Sequence, residues 1–342
     1  MANRTLSVSL VMYCNSIEEL TIAIKSVLKS NLVGKVYLID NSPEDSLKVL
    51  KKIDNSRIEY FFQNNNLGFG KAHNIAINNA LSLNYKYHLV INPDISVEED
   101  ILSSMIKFME NNSDVGMMMP QILNYDGSIQ YLPKLLPTPW SLIIRKLKLP
   151  FLFYSKYINK YELREFHKGT IINVPVISGC FTLFNMKAFN KVGLYDDRFF
   201  MYFEDWDLSR RIHAHYKSLY YPLVSVNHGY KSGANSNPRL FKIFIQSAIK
   251  YFNKWGWFFD VKSRIINKKI WKPGIYHYTN LGKVSWFDFA NDIKSIYGFN
   301  TRIDSISSKE YSIKTKRPKY SLLDNSKIKN TFDINQMNYF IN

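Results

Sequence analysis

The sequence is poor in cysteine, in long apolar runs and in acidic residues. Its 342 residues include two cysteines, Cys14 and Cys180, too few for a disulfide-stapled fold, so a reducing compartment is favoured. No uncharged apolar stretch reaches about 18 residues, so we expect no membrane-spanning helix. Residues 1–4 lead directly into a strand-like run, so we expect no secretory signal peptide. These absences favour a cytoplasmic protein.

Acidic residues are outnumbered: 45 lysines and arginines face 28 aspartates and glutamates, a formal net charge of +17. Hydrophobic residues make up 46% of the chain, so it can bury a core and is not a disordered polycation. A basic chain with 15% aromatic residues suits nucleic acid, a membrane surface or an anionic small substrate. Because no nucleic-acid reading motif is recognisable, we expect no nucleic-acid partner.

Nearly half of the charge excess lies in residues 238–272, which hold nine basic residues and one acidic residue, Asp260. Apolar residues recur there at helical spacing, namely Leu240, Phe244, Ile245, Ala248, Ile249 and Phe252. Such a helix either lies in a membrane interface or packs on a neighbouring domain with its basic edge in solvent, and the pattern leaves both open. Residues 139–161 form a weaker segment of the same kind.

Strand-like and helix-like segments alternate along the first 119 residues. We predict strands at 7–12, 36–39, 57–62, 87–91 and 115–119, and helices at 17–30, 70–83 and 98–111. This alternation predicts an α/β fold with a mostly parallel sheet and flanking helices, whose ligands bind beyond the carboxyl ends of the strands. Asn15, Asp40 and Asp94 follow strand ends, so one cleft is expected to collect them. Either aspartate alone is more often a turn or cap residue.

Residues 64–74 join a strand to a helix and contain Gly68 and Gly70. The third glycine position of a dinucleotide fingerprint holds His73, and no serine or threonine follows Lys71 as a P-loop requires. The loop either brings backbone N–H groups near a phosphate or is a tight turn capped by asparagines.

Three acids, Glu204, Asp205 and Asp207, cluster among large aromatic residues at the start of a predicted helix. Acids in a first helical turn favour the helix dipole. The bulky residues before them indicate a partly desolvated cleft wall, where a carboxylate acts as a general base with a raised pKa. His228 follows a strand-like run; a lone histidine is more often structural, but with Asp94 it is a candidate metal ligand.

Taken together, residues 6–237 resemble the family 2 glycosyltransferases of the GT-A fold, and among them the rhamnosyltransferase-like branch. The matches are, in order, Asn15, Asp40-Asn41-Ser42, Asn66-Leu67-Gly68-Phe69 to Asn74, Asn92-Pro93-Asp94, Ser178-Gly179, Phe200-x-Tyr202-x-Glu204-Asp205-x-Asp207, and His228 with Ser232. No single match is specific, and the ordered set over about 230 residues carries the resemblance.

The resemblance implies inverting transfer from a nucleotide-diphospho-sugar on a GT-A, Rossmann-like fold. Asp205 would deprotonate the acceptor hydroxyl with support from Glu204, and Asp94 with His228 would bind Mg²⁺ or Mn²⁺. The donor would be bound by Asn15, Asp40, Asn41, Asn66, Gly68, Asn74, Asn92 and Gly179, with Asp40 at the nucleoside. The first acid of the family's Asp-x-Asp motif is Asn92 here, as is usual in this branch. Cys14 stands where the family usually has tyrosine, which puts the usual packing around the nucleobase in doubt.

The last 70 residues follow another pattern, with a strand and turn at 274–280, a helix at 286–297 capped by Ser285, a strand at 301–306 and a short helix at 324–332. They resemble the C-terminal end of dTDP-4-dehydrorhamnose reductase. The matches are Gly274-Ile275-Tyr276-His277, Ser285-Trp286-Phe287-Asp288-Phe289-Ala290, and residues 317–327 from Arg317-Pro318 to Ser326-Lys327. None of the 23 tyrosines has a lysine four residues on, and no dinucleotide fingerprint is present, so reductase activity is excluded.

We therefore predict three parts: a GT-A domain at 1–237, a basic helical segment at 238–272 and a small α+β domain at 273–342. The leading hypothesis is a metal-dependent inverting glycosyltransferase that moves L-rhamnose from dTDP-L-rhamnose to a saccharide acceptor. The acceptor would be lipid-linked, at the inner face of the cell membrane, in the synthesis of a bacterial surface polysaccharide such as O-antigen. The small C-terminal domain favours dTDP-L-rhamnose as the donor only by association, because it resembles part of an enzyme of the dTDP-rhamnose pathway.

Two alternatives stay open: transfer from another nucleotide sugar, and a non-catalytic scaffold of the dTDP-rhamnose pathway. The intact Asp94, Asp205 and His228 favour an enzyme. A single base, rather than two carboxylates across the bond, argues against a glycoside hydrolase.

Overall fold

The computed structural model describes residues 5–147, 151–166, 169–229, 237–270, 276–280, 282–307, 310 and 322–331. Its contacts divide the chain into two compact units, Met1–Trp271 and Lys272–Asn342, and each is considered by itself. The sequence matches at Ser232, at Gly274-Ile275 and at residues 317–321 lie outside the described residues.

The first unit is built on one sheet. Its strands are β1 (Leu6–Met12), β2 (Val33–Asp40), β3 (Ile58–Phe62), β4 (Tyr87–Ile91), β5 (Ile95–Ser96), β6 (Val115–Leu123), β7 (Ile172–Asn173), β8 (Phe181–Asn185) and β9 (Lys217–His228). They lie in the order β3-β2-β1-β4-β8-β6-β9-β5, and β7 also pairs with β9. Strands β1 to β4 pair in parallel, as do β6 and β9, so the predicted α/β fold with a largely parallel sheet is confirmed. The antiparallel strand β8, between β4 and β6, was not predicted.

In the described part of the first unit, seven helices follow strands of the sheet or connect them, and polar side chains cap the N-termini of several. They are α1 (Ile17–Leu28), α2 (Phe69–Ser82), α3 (Ile101–Asn111), α4 (Pro139–Leu147), α5 (Phe151–Tyr161), α6 (Met186–Val192) and α7 (Glu204–His213). The Oγ of Ser16 accepts the N–H of Glu19 at 3.2 Å and caps α1, as predicted. Helix α3 begins three residues later than predicted because the side chain of Asp100 caps it.

The basic segment forms two further helices of the first unit, α8 (Pro238–Trp255) and α9 (Val261–Ile270). One side of α8 packs with the residues before α7 in a small apolar cluster, formed by Phe199, Phe203, Ala248, Tyr251 and Phe252. Its other side exposes Ile245 and Ile249. Packing within the first unit therefore accounts for one face of α8, and the other face is in solvent.

The second unit contains α10 (Trp286–Tyr297) and α11 (Ser326–Thr331). The predicted cap at Ser285 is confirmed, since its Oγ accepts the N–H of Asp288 in a capping box. The strand predicted at 301–306 is wrong: these residues have no regular structure and are mostly exposed. A strand needs a neighbour to satisfy its backbone groups, and the described part of this unit offers none.

Candidate active site

A short strand pairing brings together the two residues expected to bind a metal. Ile95 of β5 lies opposite His228 of β9, and the N–H of Gly229 donates to the carbonyl of Asp94 at 2.9 Å. As a result Oδ1 of Asp94 lies 3.2 Å from Nε2 of His228. The Nδ2 of Asn92 lies 3.3 Å from the same nitrogen. The structure thus joins Asn92, Asp94 and His228 in one polar cluster, with His228 buried and Asp94 partly exposed.

Asp205, the predicted base, lies in the first turn of α7 and is held by two backbone donors. The N–H of Gly179 donates to Oδ2 at 3.1 Å, and the N–H of Trp206 donates to Oδ1 at 2.9 Å. Burial raises the pKa of Asp205 to about 6, although these hydrogen bonds oppose the rise. At neutral pH the carboxylate is therefore ionised, and its pKa is close enough to neutrality for proton abstraction.

Glu204 precedes the base and is buried. Burial, together with the charge of Asp205, raises the pKa of Glu204 well above its ordinary value. Its Oε2 has no hydrogen-bond partner within the described part of the chain. Burial and the neighbouring carboxylate of Asp205 therefore both disfavour ionisation of Glu204.

Lys134 is a buried cation near this pair that the sequence analysis missed. Its Nζ donates to the carbonyl of Leu132 at 3.2 Å, and its backbone pairs with Val176. Burial lowers the pKa of Lys134 to about 8, and its positive charge in turn lowers the pKa of Asp205. A lone lysine within the apolar run 132–136 was the available sequence signal.

Cys180 connects the Asp94–His228 cluster to the base. Its carbonyl accepts the N–H of Asn92 at 2.8 Å, and the preceding residue, Gly179, holds Asp205. Burial, together with the charges of Asp94 and Asp205, raises the pKa of the Cys180 thiol to about 12. The thiol is therefore neutral, and both carboxylates lie close to it at one end of the sheet.

Asp40, predicted to contact the nucleoside, ends β2 and is fully buried. Its Oδ1 accepts the N–H of Ser42 at 2.9 Å, and its Oδ2 accepts the hydroxyl of Tyr60 at 2.6 Å. The same hydroxyl lies 2.7 Å from Oδ1 of Asp45, and burial with the two carboxylates raises the pKa of Tyr60. Strand β1 separates β2 from β4, so Asp40 lies about 10 Å across the sheet from the end of β4.

The glycine loop packs tightly against the segment before α7. Gly68 has φ of +83°, and a Cβ there would collide with the carbonyl oxygen of Phe200. That carbonyl accepts the N–H of Phe69 at 2.9 Å, and Oδ1 of Asn66 accepts the N–H of Gly68 at 3.0 Å. These contacts explain why glycine stands at position 68 and why the loop follows the conformation of residues 199–203.

The other asparagines predicted to bind the donor already have protein partners. Nδ2 of Asn74 donates to the carbonyl of Tyr195 at 2.9 Å, and its Oδ1 accepts the N–H of Tyr195 at 3.0 Å. Nδ2 of Asn41 donates to the carbonyl of Gly68 at 3.2 Å, and Nδ2 of Asn15 donates to a glutamate one turn later. Each side chain therefore has a structural role, and its contact with the donor stays a prediction.

Helix α8 contacts the active-site helix α7 through a buried carboxylate. The carboxylate of Asp207 accepts hydrogen bonds from Nε of Arg211 at 2.9 Å, from Nζ of Lys254 at 2.7 Å and from Nε1 of Trp255 at 2.8 Å. The two residues before α7, Tyr202 and Phe203, have φ of 69° and 68° in the left-handed region. Such a pair is strained and persists only where its surroundings fix it.

Comparison of the sequence with protein families identifies the chain. The family described as glycosyl transferase family 2 matches residues 9–193, more than half of the chain. The chain belongs to this family. A second family, described as the RmlD substrate binding domain, matches residues 258–340 of this glycosyltransferase. Both resemblances found in the sequence are thereby confirmed.

Curated relatives of the glycosyltransferase part are hexosyl- and rhamnosyltransferases at low identity. The low-salt glycan biosynthesis hexosyltransferase Agl10 of Haloferax volcanii is 24% identical over 181 residues, which cover 52% of this chain and 53% of the relative. The N-acetylglucosaminyl-diphospho-decaprenol L-rhamnosyltransferase of Mycobacterium tuberculosis is 28% identical over 141 residues, or 41% and 46% of the two chains. The aligned segments thus span about half of each relative.

The C-terminal part has a closer but shorter match. The spore coat polysaccharide biosynthesis protein SpsK of Bacillus subtilis is 41% identical over 69 residues, which are 20% of this chain and 24% of that protein.

Among solved structures, that of GalNAc-T7 with UDP, GalNAc and Mn²⁺ superposes with a TM-score of 0.51 at 17% identity, over 72% of this chain and 47% of that one. The likeness supports the GT-A fold. In the described residues, no helix of this glycosyltransferase is both long enough and apolar enough to span a membrane.

Proposed function

We propose that this glycosyltransferase is an inverting, metal-dependent enzyme that transfers L-rhamnose from dTDP-L-rhamnose to a saccharide acceptor. One observation carries the proposal: adjacent residues of one backbone segment contact both groups, since the carbonyl of Cys180 accepts the N–H of Asn92, beside the Asp94–His228 pair, and the N–H of Gly179 donates to the carboxylate of Asp205. A sugar diphosphate held at the first group presents its anomeric carbon towards a base at the second. The nucleoside and sugar of the donor would bind to the neighbouring residues at the carboxyl ends of the strands.

Asp205 would take the proton of the acceptor hydroxyl. The freed oxygen would attack the anomeric carbon as the bond from that carbon to the diphosphate oxygen breaks, and the nucleoside diphosphate would leave with the bonding electrons. A single displacement of this kind inverts the anomeric centre. The N–H groups of Gly179 and Trp206 would hold the carboxylate in position, and the adjacent Glu204, whose ionisation is disfavoured by burial, would support it.

Asp94 and His228 would hold Mg²⁺ or Mn²⁺. Neighbouring ligands of an octahedral ion at about 2.1 Å lie about 3 Å apart, and Oδ1 of Asp94 lies 3.2 Å from Nε2 of His228. Among the described residues no third His, Cys, Asp or Glu completes such a group, so Asp94 and His228 are the residues that would hold the ion. When bound, the ion would neutralise the charge of the departing diphosphate.

The choice of dTDP-L-rhamnose rests on two sequence relationships. A relative named as an L-rhamnosyltransferase aligns over 41% of the chain. In addition, the C-terminal part matches the substrate binding domain of RmlD. In the proposed complex the nucleoside lies at the end of β2, where Asp40 would bind it once the Tyr60 hydroxyl is displaced. The polar side chains at 15, 41, 66, 74 and 92 and the backbone at Gly68 and Gly179 line the donor site.

A lipid-linked acceptor in surface polysaccharide synthesis, reached from the inner face of the membrane, fits the exposed end of the basic segment. Phe258, Phe259 and Val261 are 67%, 89% and 62% exposed, and basic residues of α9 lie directly beside them. Exposed aromatic residues beside lysines are typical of proteins that bind a membrane interface. The Mycobacterium tuberculosis relative is named for an acceptor carried on diphospho-decaprenol.

A donor screen tests the proposal. The purified full chain with Mn²⁺ is incubated with dTDP-L-rhamnose, UDP-N-acetylglucosamine, UDP-galactose and GDP-mannose, and release of the nucleoside diphosphate is followed. We expect turnover of dTDP-L-rhamnose that EDTA abolishes and that Asp205→Asn lowers by about 10²- to 10⁴-fold. Turnover of another donor alone would overturn the choice of sugar. No turnover of any donor, with or without a polyprenyl-diphospho-saccharide acceptor, would overturn catalysis.

A further inference from the structure

Gln130 makes two contacts with His228 that determine whether Nδ1 of its imidazole ring carries a proton. Its Nε2 donates to the backbone carbonyl of His228 at 2.9 Å, and its Oε1 lies 2.9 Å from Nδ1 of the same residue. Nε2 also donates to Oδ1 of Asn124 at 2.7 Å. Gln130 is buried, so these contacts are made in a site that excludes most water.

The orientation of the Gln130 amide follows from the backbone alone. A carbonyl oxygen only accepts hydrogen bonds, so the amide nitrogen must face the carbonyl of His228. Oε1 then faces Nδ1, and because Oε1 also only accepts, Nδ1 must carry the imidazole proton. In a neutral ring the lone pair is then on Nε2, the nitrogen that faces Oδ1 of Asp94 and Nδ2 of Asn92.

The hairpin that carries Gln130 holds it rigidly. Leu123 pairs with Ile129 in an antiparallel bridge, and the N–H of Gln130 donates to the carbonyl of Ile122 at 2.9 Å. Nδ2 of Asn124 donates to Oγ of Ser128 at 2.8 Å, which fixes the amide that receives Gln130. The backbone and side chain of Gln130 are thus anchored independently of His228.

We propose that Gln130 is a positioning residue that holds His228 as the Nδ1–H tautomer, so that Nε2 is a ready ligand for the divalent cation. This inference rests on the proposed metal site. A histidine ligand needs a neutral ring with a free nitrogen, and the partner of its other nitrogen sets both the tautomer and the ring orientation. Without Gln130 the ring is free to rotate or to protonate Nε2, and either change removes the ligand.

The test compares Gln130→Met with the same substitution at Gln121, which lies in β6 opposite Ser225, three residues before His228 in β9. Long-range ¹H–¹⁵N spectra of histidine-labelled, metal-free protein report the tautomer. Mn²⁺ binding, alone and with dTDP, is measured by electron paramagnetic resonance. We expect the Nδ1–H form of His228 in the wild type and in Gln121→Met, and about 10- to 100-fold weaker Mn²⁺ binding in Gln130→Met.

Two outcomes would overturn the inference: an Nε2–H tautomer in the metal-free wild type, or unchanged Mn²⁺ affinity in a folded Gln130→Met protein. Circular dichroism confirms that the variant is folded. A wild type that holds the Nδ1–H tautomer but binds no Mn²⁺ would overturn the proposed metal site instead and leave the tautomer assignment intact.

Discussion

Nζ of Lys254 lies 2.7 Å from Oδ1 of Asp207, and it joins the end of the basic helix α8 to the first turn of the active-site helix α7. Asp207 is fully buried and stands two residues after the proposed base. A second contact links the same elements, since Oγ of Ser247 donates to the carbonyl of Met201 at 2.8 Å. Helix α8 is therefore a structural part of the catalytic unit, and it fixes the strained turn that orients Asp205.

Replacing Lys254 by methionine should destabilise the protein by about 1–3 kcal/mol, because a buried carboxylate loses a charged partner. Asp207 keeps Arg211 and Trp255, so the protein should still fold. Urea denaturation measures the free energy of unfolding. Lys242→Met, on an exposed position of the same helix, is the matched control and should change stability by less than about 0.5 kcal/mol. Equal effects of the two substitutions would contradict the role of the contact.

The pH dependence of transfer should show an acidic limb near pH 6. Asp205 must be ionised to accept a proton, so kcat/KM rises about tenfold per pH unit below its pKa of about 6 and levels off above it. The positive charge of Lys134 lowers that pKa, so Lys134→Met should move the limb to higher pH, while Lys134→Arg should leave it in place. A limb at the same pH in all three proteins would show that Lys134 does not act on the base.

Asp205 should also lower stability in a pH-dependent way. Its pKa is about 6 in the folded protein, whereas an unfolded aspartate titrates near 3.9, roughly two units lower. Between these values the folded state binds more protons, so this group makes stability fall as the pH rises from about 4 to about 6. Asp205→Asn removes the effect. The difference in free energy of unfolding between the variant and the wild type should therefore shift in favour of the variant by about 1–3 kcal/mol as the pH rises from 4.5 to 7.5. Parallel stability curves from urea denaturation would contradict the raised pKa.

Gly68 should tolerate a side chain far less well than Gly127. Both have positive φ, +83° and +80°, but a Cβ at Gly68 meets the carbonyl of Phe200 while one at Gly127 meets nothing within 4 Å. Gly127→Ala should cost about 1 kcal/mol, the penalty of a left-handed alanine. Gly68→Ala should cost more and should also lower turnover, because Phe200 leads into the turn before Asp205. Similar losses of thermal stability in both variants would rule out the close approach.

Periodicity predicted much of the sheet and the helices around it. The strand at Leu6–Met12 is covered on both faces of the sheet, so nearly all of its residues are buried. A strand buried on both faces forms a nearly continuous apolar run, which is easily recognised in a sequence. The strand at 301–306 was predicted on the same pattern and is absent, since local pattern does not guarantee a pairing partner. The two-residue strand β5 is too short for any period, yet it sets Asp94 beside His228.

The proposed base and metal ligands could be predicted from the sequence, but the residues that surround and position them could not. Asp205 and His228 belong to recognisable patterns, whereas Gln130 and Lys134 act through contacts that only the folded chain creates. Gln130 reaches His228 from a hairpin, and Lys134 is buried beside Val176 through one isolated bridge. A single sequence does not show such long-range contacts, although a lysine alone within the apolar run 132–136 was a local sign of Lys134.

The basic surface of α9 should bind anionic membranes. Lys262, Arg264, Lys268 and Lys269 are exposed on α9, which follows the exposed residues Phe258 and Phe259 in the chain. Each cation near an anionic surface contributes about 1 kcal/mol. Replacing all four by glutamine should therefore weaken sedimentation with phosphatidylglycerol vesicles by more than tenfold and leave donor hydrolysis unchanged. The matched control replaces four exposed lysines elsewhere, Lys25, Lys48, Lys51 and Lys52. If both quadruple variants bind vesicles equally, net charge rather than this surface determines the attraction.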